Sequence, residues 1–85
     1  MHANERIRVE IIEAHVESVF SLIDAASLAT LRGDTRAAKQ VLASAEQVYD
    51  DIEQRLIKLA ELERAPFLPL VAEVRRELDG AYPDA

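Results

Sequence analysis

The sequence predicts an all-α fold: a long antiparallel helical hairpin, about residues 4–32 and 35–64, and a short third helix over about 69–79, completed as a bundle by dimerisation. Three observations predict it. Apolar residues recur at alternating intervals of three and four along most of the chain, which is the stripe of a helix and not the alternation of a strand. Two glycines and three prolines in 85 residues are too few for a turn-rich β fold. One of those glycines also falls between the two longest stripes.

The first helix carries Val9, Ile12, Val16, Val19, Ile23 and Ala26 on one heptad-like seam. The second carries Ala38, Leu42, Ala45, Tyr49, Ile52, Leu56 and Leu59 at the same spacing. Between them, Gly33 suits the left-handed position that ends a helix, and Asp34 or Thr35 can cap the next one. If the chain folds back there, facing residues have numbers summing to about 68. That rule pairs Ala26 with Leu42, Ile23 with Ala45, Val19 with Tyr49, Val16 with Ile52, Ile12 with Leu56, and Val9 with Leu59. Pro66 disfavours α conformation at Ala65 and ends the second helix. Pro69 suits the first residue of a third, with Val71, Val74 and Leu78 as its apolar stripe. Phe67 is expected over the open end of the hairpin against Val9, Leu59 or Leu62, and Gly80 is expected to close the third helix before a short tail in which Tyr82 packs back.

The hairpin has apolar residues to spare. Beside its seam the first helix carries Ile11, His15, Ser18, Leu22, Ala25 and Ala29, and the second offers Ala37, Val41, Ser44 and Val48 on a matching flank. A third helix of about 11 residues spans only about 16 Å, against about 42 Å for a 28-residue helix, so the half nearest the turn is expected to stay bare. Bare apolar surface of that size implies a partner. A second copy forming a homodimer is the expected occupant, with a helix of another protein as the other choice. The expected interface is Leu22, Ala25, Ala29, Val41 and Val48.

Composition and charge exclude several classes. A net charge of −6 argues against nucleic acid as a partner, since such a protein needs a basic face. The absence of cysteine removes disulfides, thiolate zinc sites and cysteine nucleophiles. No apolar run approaches the ~20 residues that span a bilayer, and no signal-peptide pattern opens the chain, so a cytoplasmic protein without a membrane partner is expected.

No residue set meets the needs of catalysis. Glu10, Glu13 and Glu17 share a helix face near His15, but Glu13 and His15 are two residues apart and point in different directions, so no Glu-x-x-His ligand pair arises. Glu46, Asp50 and Glu53 form a second acidic line on the rim of the second helix. Nothing places a nucleophile beside His15, and the seams lack the basic residues a small helical enzyme would use to hold a dicarboxylate. Arg32, Arg36 and Lys39 make the turn end basic, and Arg32-Gly33-Asp34 serves there as a helix stop and cap. The expectation is therefore no catalytic residue, no metal site and no cofactor.

Gly33-Asp34, followed by Ala38, Leu42 and Ala45, with Ala26 at a small first-helix position, resembles a tetratricopeptide-type helical hairpin. The resemblance covers residues 22–45, and Ala25 and Ala29 stand where that family has bulkier side chains. It implies close-packed helices used for protein binding. The functional expectation is a non-enzymatic interaction or assembly module that self-associates through the apolar hairpin face. Two alternatives stay open: a carboxylate and histidine bundle binding a metal or ligand, and a small acidic chaperone or inhibitor of a basic partner.

Overall fold

A computed structural model describes the backbone of residues 2–83 and the side chains of residues 6–83. Helix α1 spans His2–Leu31 and α2 spans Thr35–Ile57; a single turn, α3, covers Glu61–Arg64, and α4 runs over Phe67–Gly80. No strand occurs among the described residues, and no helix is long and apolar enough to cross a membrane. The whole measures 49 × 18 × 15 Å, a length set by α1, whose 30 residues rise about 45 Å.

The turn between α1 and α2 takes only three residues. Gly33 has φ +79°, the one positive φ in the described chain. Its N–H donates to the Thr30 carbonyl and that of Asp34 to the Ala29 carbonyl, at 3.0 and 2.9 Å. This pair of bonds is a Schellman motif, which satisfies carbonyls that the end of α1 would leave without partners. The Asp34 side chain then accepts from the Ala37 N–H at 3.1 Å and caps α2. One short segment thus stops one helix, starts the next and reverses the chain.

Behind the turn, the seam residues form the core. Ile12, Val16, Val19, Ile23 and Ala26 of α1 are buried, as are Ala38, Leu42, Ala45, Tyr49, Ile52 and Leu56 of α2 and Leu59 just beyond it. Val9 is half-buried against them. Cross-helix polar contacts share the register: Arg8 reaches the Lys58 carbonyl and His15 reaches Asp51, pairs whose numbers sum to about 66. Burial stabilises such side chains by about 1.5–3 kcal/mol each for the fully enclosed Ile, Leu and Val positions, so the seam dominates folding.

The second helix ends earlier than the sequence suggests. It stops at Ile57, and Lys58 and Leu59 donate to Arg55 and Leu56 in a tightened turn at 3.2 and 3.1 Å. Ala60 is extended, with ψ 151°. The cause lies in the stripe: Leu59 is its last apolar residue, and the next seam position is Glu63. With nothing further to bury, the chain bends twice, before and after α3, and returns as α4. Of the three residues Phe67 is expected to cover, Leu62 is 89% exposed, while Leu59 is buried and Val9 half-buried.

The third long helix in turn begins at Phe67 and not at Pro69. Pro66 is its N-cap, and Pro69 sits in the first turn, where its missing N–H costs no helix bond. Phe67 joins Val71, Val74 and Leu78 in one buried stripe. With 14 residues the helix rises about 21 Å, and the tail carries the chain on to Tyr82 beside Ser27, Thr30 and Leu31. The turn-proximal half is therefore reached on this flank, which corrects the expectation that it lies beyond the third helix. Asp84 and Ala85, the end of the expected tail, lie outside the described residues.

Gly33→Ala and Gly80→Ala separate backbone strain from helix propensity. At Gly33 an added Cβ meets nothing within 4 Å, so the cost is the left-handed backbone alone, about 1–2 kcal/mol of unfolding free energy. Gly80 has an ordinary φ inside the last turn of α4, and alanine there is expected to leave stability unchanged or raise it by up to about 1 kcal/mol. Urea unfolding followed by circular dichroism measures both.

Candidate functional site

The heptad pattern sorts the remaining residues of the hairpin into two flanks, and α4 covers only one. On the closed flank, Ile23 and Ser27 of α1 border Glu73, Arg76 and Glu77 of α4, and Phe20 packs on the core. The contact to α2 is polar. Arg75 donates from both terminal nitrogens to the two carboxylate oxygens of Glu46 at 2.8 and 2.9 Å, a two-pronged bond. Its Nε bonds Asp79 at 3.0 Å, and its guanidinium lies 4.8 Å from the centre of the Tyr49 ring. The Tyr82 hydroxyl donates to Glu46 Oε2 at 2.6 Å, so the tail is tied to the same carboxylate.

These contacts set the electrostatics of the clasp. The bonds from Arg75 and then Tyr82 outweigh partial burial and lower Glu46 from the ordinary 4.5 to about 2. Its bonds to Glu46 and then Asp79 raise Arg75 further above its usual range. Accepting from Tyr82 keeps that phenol protonated to higher pH, and burial does the same for Tyr49. The acidic line of Glu46, Asp50 and Glu53 thus already has a basic partner for its first member, supplied by α4. Sequence reasoning missed Arg75 and its role; the spacing of Arg75 and Asp79 marks a helical ion pair but does not show that α2 is the target.

The opposite flank has no helix over it. It carries every residue of the expected interface: Leu22, Ala29, Val41 and Val48 are half-buried against the core and Ala25 is exposed. A shallow groove beside Ala14, Glu17, Ser18, Ser21 and Leu22 is bordered by α1 alone. Toward the open end, His15 bridges the two helices. Its Nδ1 donates to the Ile11 carbonyl at 2.8 Å, and its Nε2 lies 2.8 Å from Asp51 Oδ2. Asp51 accepts from Arg55 Nε at 2.7 Å, and that bond, ahead of the charge of His15, holds its carboxyl below the ordinary value. Next to this group Arg8, Gln54 and Lys58 line a second recess.

The structure separates His15 from Glu13. His15 is on the open flank, whereas Glu13, two residues away, is exposed on the other side of α1. Among the described residues no three His, Asp or Glu side chains come together as a cation site. At the turn, Asp34 of the Arg32-Gly33-Asp34 tripeptide is committed as the α2 cap. No family model, curated protein or solved structure matches the chain.

Glu46→Gln tests the clasp. The carboxylate is lowered in the folded state, so its contribution is fully present above pH 4.5 and is lost as pH falls towards about 2. The variant is expected to lose about 1 kcal/mol of stability at pH 7. The gap between wild type and variant should narrow through that acid window. Denaturation midpoints between pH 2 and 7 measure it, and a gap that stays constant would assign the loss to packing and not to charge.

Proposed function

We propose that this protein is a non-enzymatic assembly module that self-associates through the open flank of its hairpin, burying Leu22, Ala25, Ala29, Val41 and Val48. The observation that carries this reading is the one-sidedness of α4. The flank under α4 carries Phe20 among Ser27, Glu46 and Glu53, whereas the flank that holds the apolar stripe of Leu22, Ala29, Val41 and Val48 receives no helix. That stripe packs on the core from one side and meets solvent on the other, the state of a bundle lacking a layer. A second hairpin laid on it supplies that layer and completes a four-helix arrangement. Apolar burial supplies the affinity and the charged rims the orientation.

Leu22→Asp tests the reading. Leu22 is off the seam, so the hairpin is expected to keep its helical circular dichroism while an aspartate on the flank opposes association. In sedimentation from micromolar to millimolar concentration, wild type should reach twice the 9.5 kDa chain mass, and the variant should remain a single chain. A wild type of single-chain mass throughout overturns the proposal. A variant that still associates moves the interface to another surface.

A further inference from the structure

His15 is half-buried where α1 faces α2, and both of its ring nitrogens meet acceptors. Nδ1 lies 2.8 Å from the Ile11 carbonyl oxygen, one turn back on the same helix, and Nε2 lies 2.8 Å from Asp51 Oδ2 on α2. Neither acceptor has a hydrogen to give. A backbone carbonyl never does, and the Asp51 carboxyl, held below its ordinary value chiefly by its bond from Arg55, is a carboxylate at neutral pH. A neutral imidazole carries a single N–H. It would satisfy one of these contacts while turning a lone pair on the other oxygen. Only the doubly protonated ring donates to both.

We infer that His15 is held in the fold as an imidazolium whose two N–H groups staple α1 to α2, and that the staple opens as pH rises and the ring loses a proton. The switch is internal to one chain and needs no partner. The charges facing the ring are few. From α2 come Asp51, which favours the proton, and Arg55, which bonds the same oxygen at 2.7 Å and opposes it. Arg8 of α1 and Lys58 at the end of α2 line the adjoining recess and also oppose it, but both are exposed and screened by water. The residues one turn from His15 on α1, Ile11, Ile12, Ser18 and Val19, carry no charge, and α4 lies on the other flank. The direct contact to Asp51 is a charge-assisted bond, stronger than the screened repulsion around it. The folded chain holds the proton in two bonds that the unfolded chain lacks. The proton therefore contributes stability in acid, and that contribution is lost as pH rises and the ring becomes neutral. Asp51 is then left to Arg55, and α1 is released from α2 at this level.

Nitrogen NMR of the His15 ring tests the inference, with His15→Gln identifying its signals. At pH 7 most folded molecules are expected to carry a proton on both ring nitrogens, against about a quarter when the chain is unfolded in urea. Asp51→Asn should return the folded protein to the unfolded fraction while helical circular dichroism is kept. The unfolding equilibrium constants of wild type and His15→Gln should differ by about two- to fivefold at pH 5.5, and the difference should narrow as pH rises to 8.5. A folded ring with a single N–H at pH 7, or a protonated fraction that Asp51→Asn leaves unchanged, overturns the staple. A difference in stability that stays constant with pH overturns the switch.

Discussion

The antiparallel seam between α1 and α2 is the constraint on which every other feature depends, and its register is set at a single turn. Gly33 and Asp34 stop one helix and cap the next with no slack between them. Once the chain reverses there, each residue of α1 has a fixed opposite on α2, and every other side chain falls on one flank or the other. Shifting the seam by one residue would turn Leu22 and Val48 away from their flank and take Glu46 away from Arg75. The fully enclosed Ile12, Val19, Leu42 and Ile52 oppose such a slip, because it would replace them in the core with polar neighbours.

The flank that receives α4 is the more polar of the two, with Phe20 its one large apolar side chain beside the seam, so something other than hydrophobicity must direct α4 there. The polar residues make the choice. On the closed flank, Glu46 offers a carboxylate to Arg75 and Tyr82, and the Tyr49 ring lies under the guanidinium. On the open flank, the matching level of α2 offers Gln47 and Val48, and Arg8, Arg55 and Lys58 lie further along. An Arg75 directed there would find no carboxylate except Asp51, which already has two partners. The clasp is modest in energy, since its members are about one-third exposed. It serves orientation more than strength, and by holding α4 to one side it keeps the other side free.

What could be seen in the sequence and what could not divides along the same line. The seam, the turn and the six facing pairs are local periodicity plus one glycine, and these the chain spells out directly. The stripe of Leu22, Ala25, Ala29, Val41 and Val48 is legible for the same reason, and the structure gathers it on one flank. The break after Ile57 was hidden, because Lys58, Ala60, Glu61 and Leu62 are all good helix formers. The one local mark is the end of the apolar stripe at Leu59, and the bend itself answers a tertiary demand, the return of Phe67 to the hairpin. Arg75 was hidden in the same way: its partner on α2 lies 29 positions away, and no spacing rule reaches that far. The small residues behind the tetratricopeptide resemblance, Ala26, Ala38 and Ala45, are all fully buried, and they let the two helix backbones approach near the turn.

The most exposed apolar residues are elsewhere, and comparing them with the open flank shows why exposure alone is a poor guide to an interface. Leu62, Leu31, Ile57 and Leu68 are 89%, 83%, 66% and 54% exposed, whereas Leu22, Ala29, Val41 and Val48 are half-buried. Leu31 stands alone at the turn, and the other three belong to different elements around the bends at the open end, interleaved with Glu61 and Glu63. A partner there would have to follow an irregular surface and desolvate carboxylates as it did so. The open flank offers less exposed area per residue but repeats it in register along the hairpin. A helix laid along that line would meet apolar side chains at successive turns, with Asp51 and Glu17 at its edges. Continuity, more than exposure, is what favours it as the proposed interface.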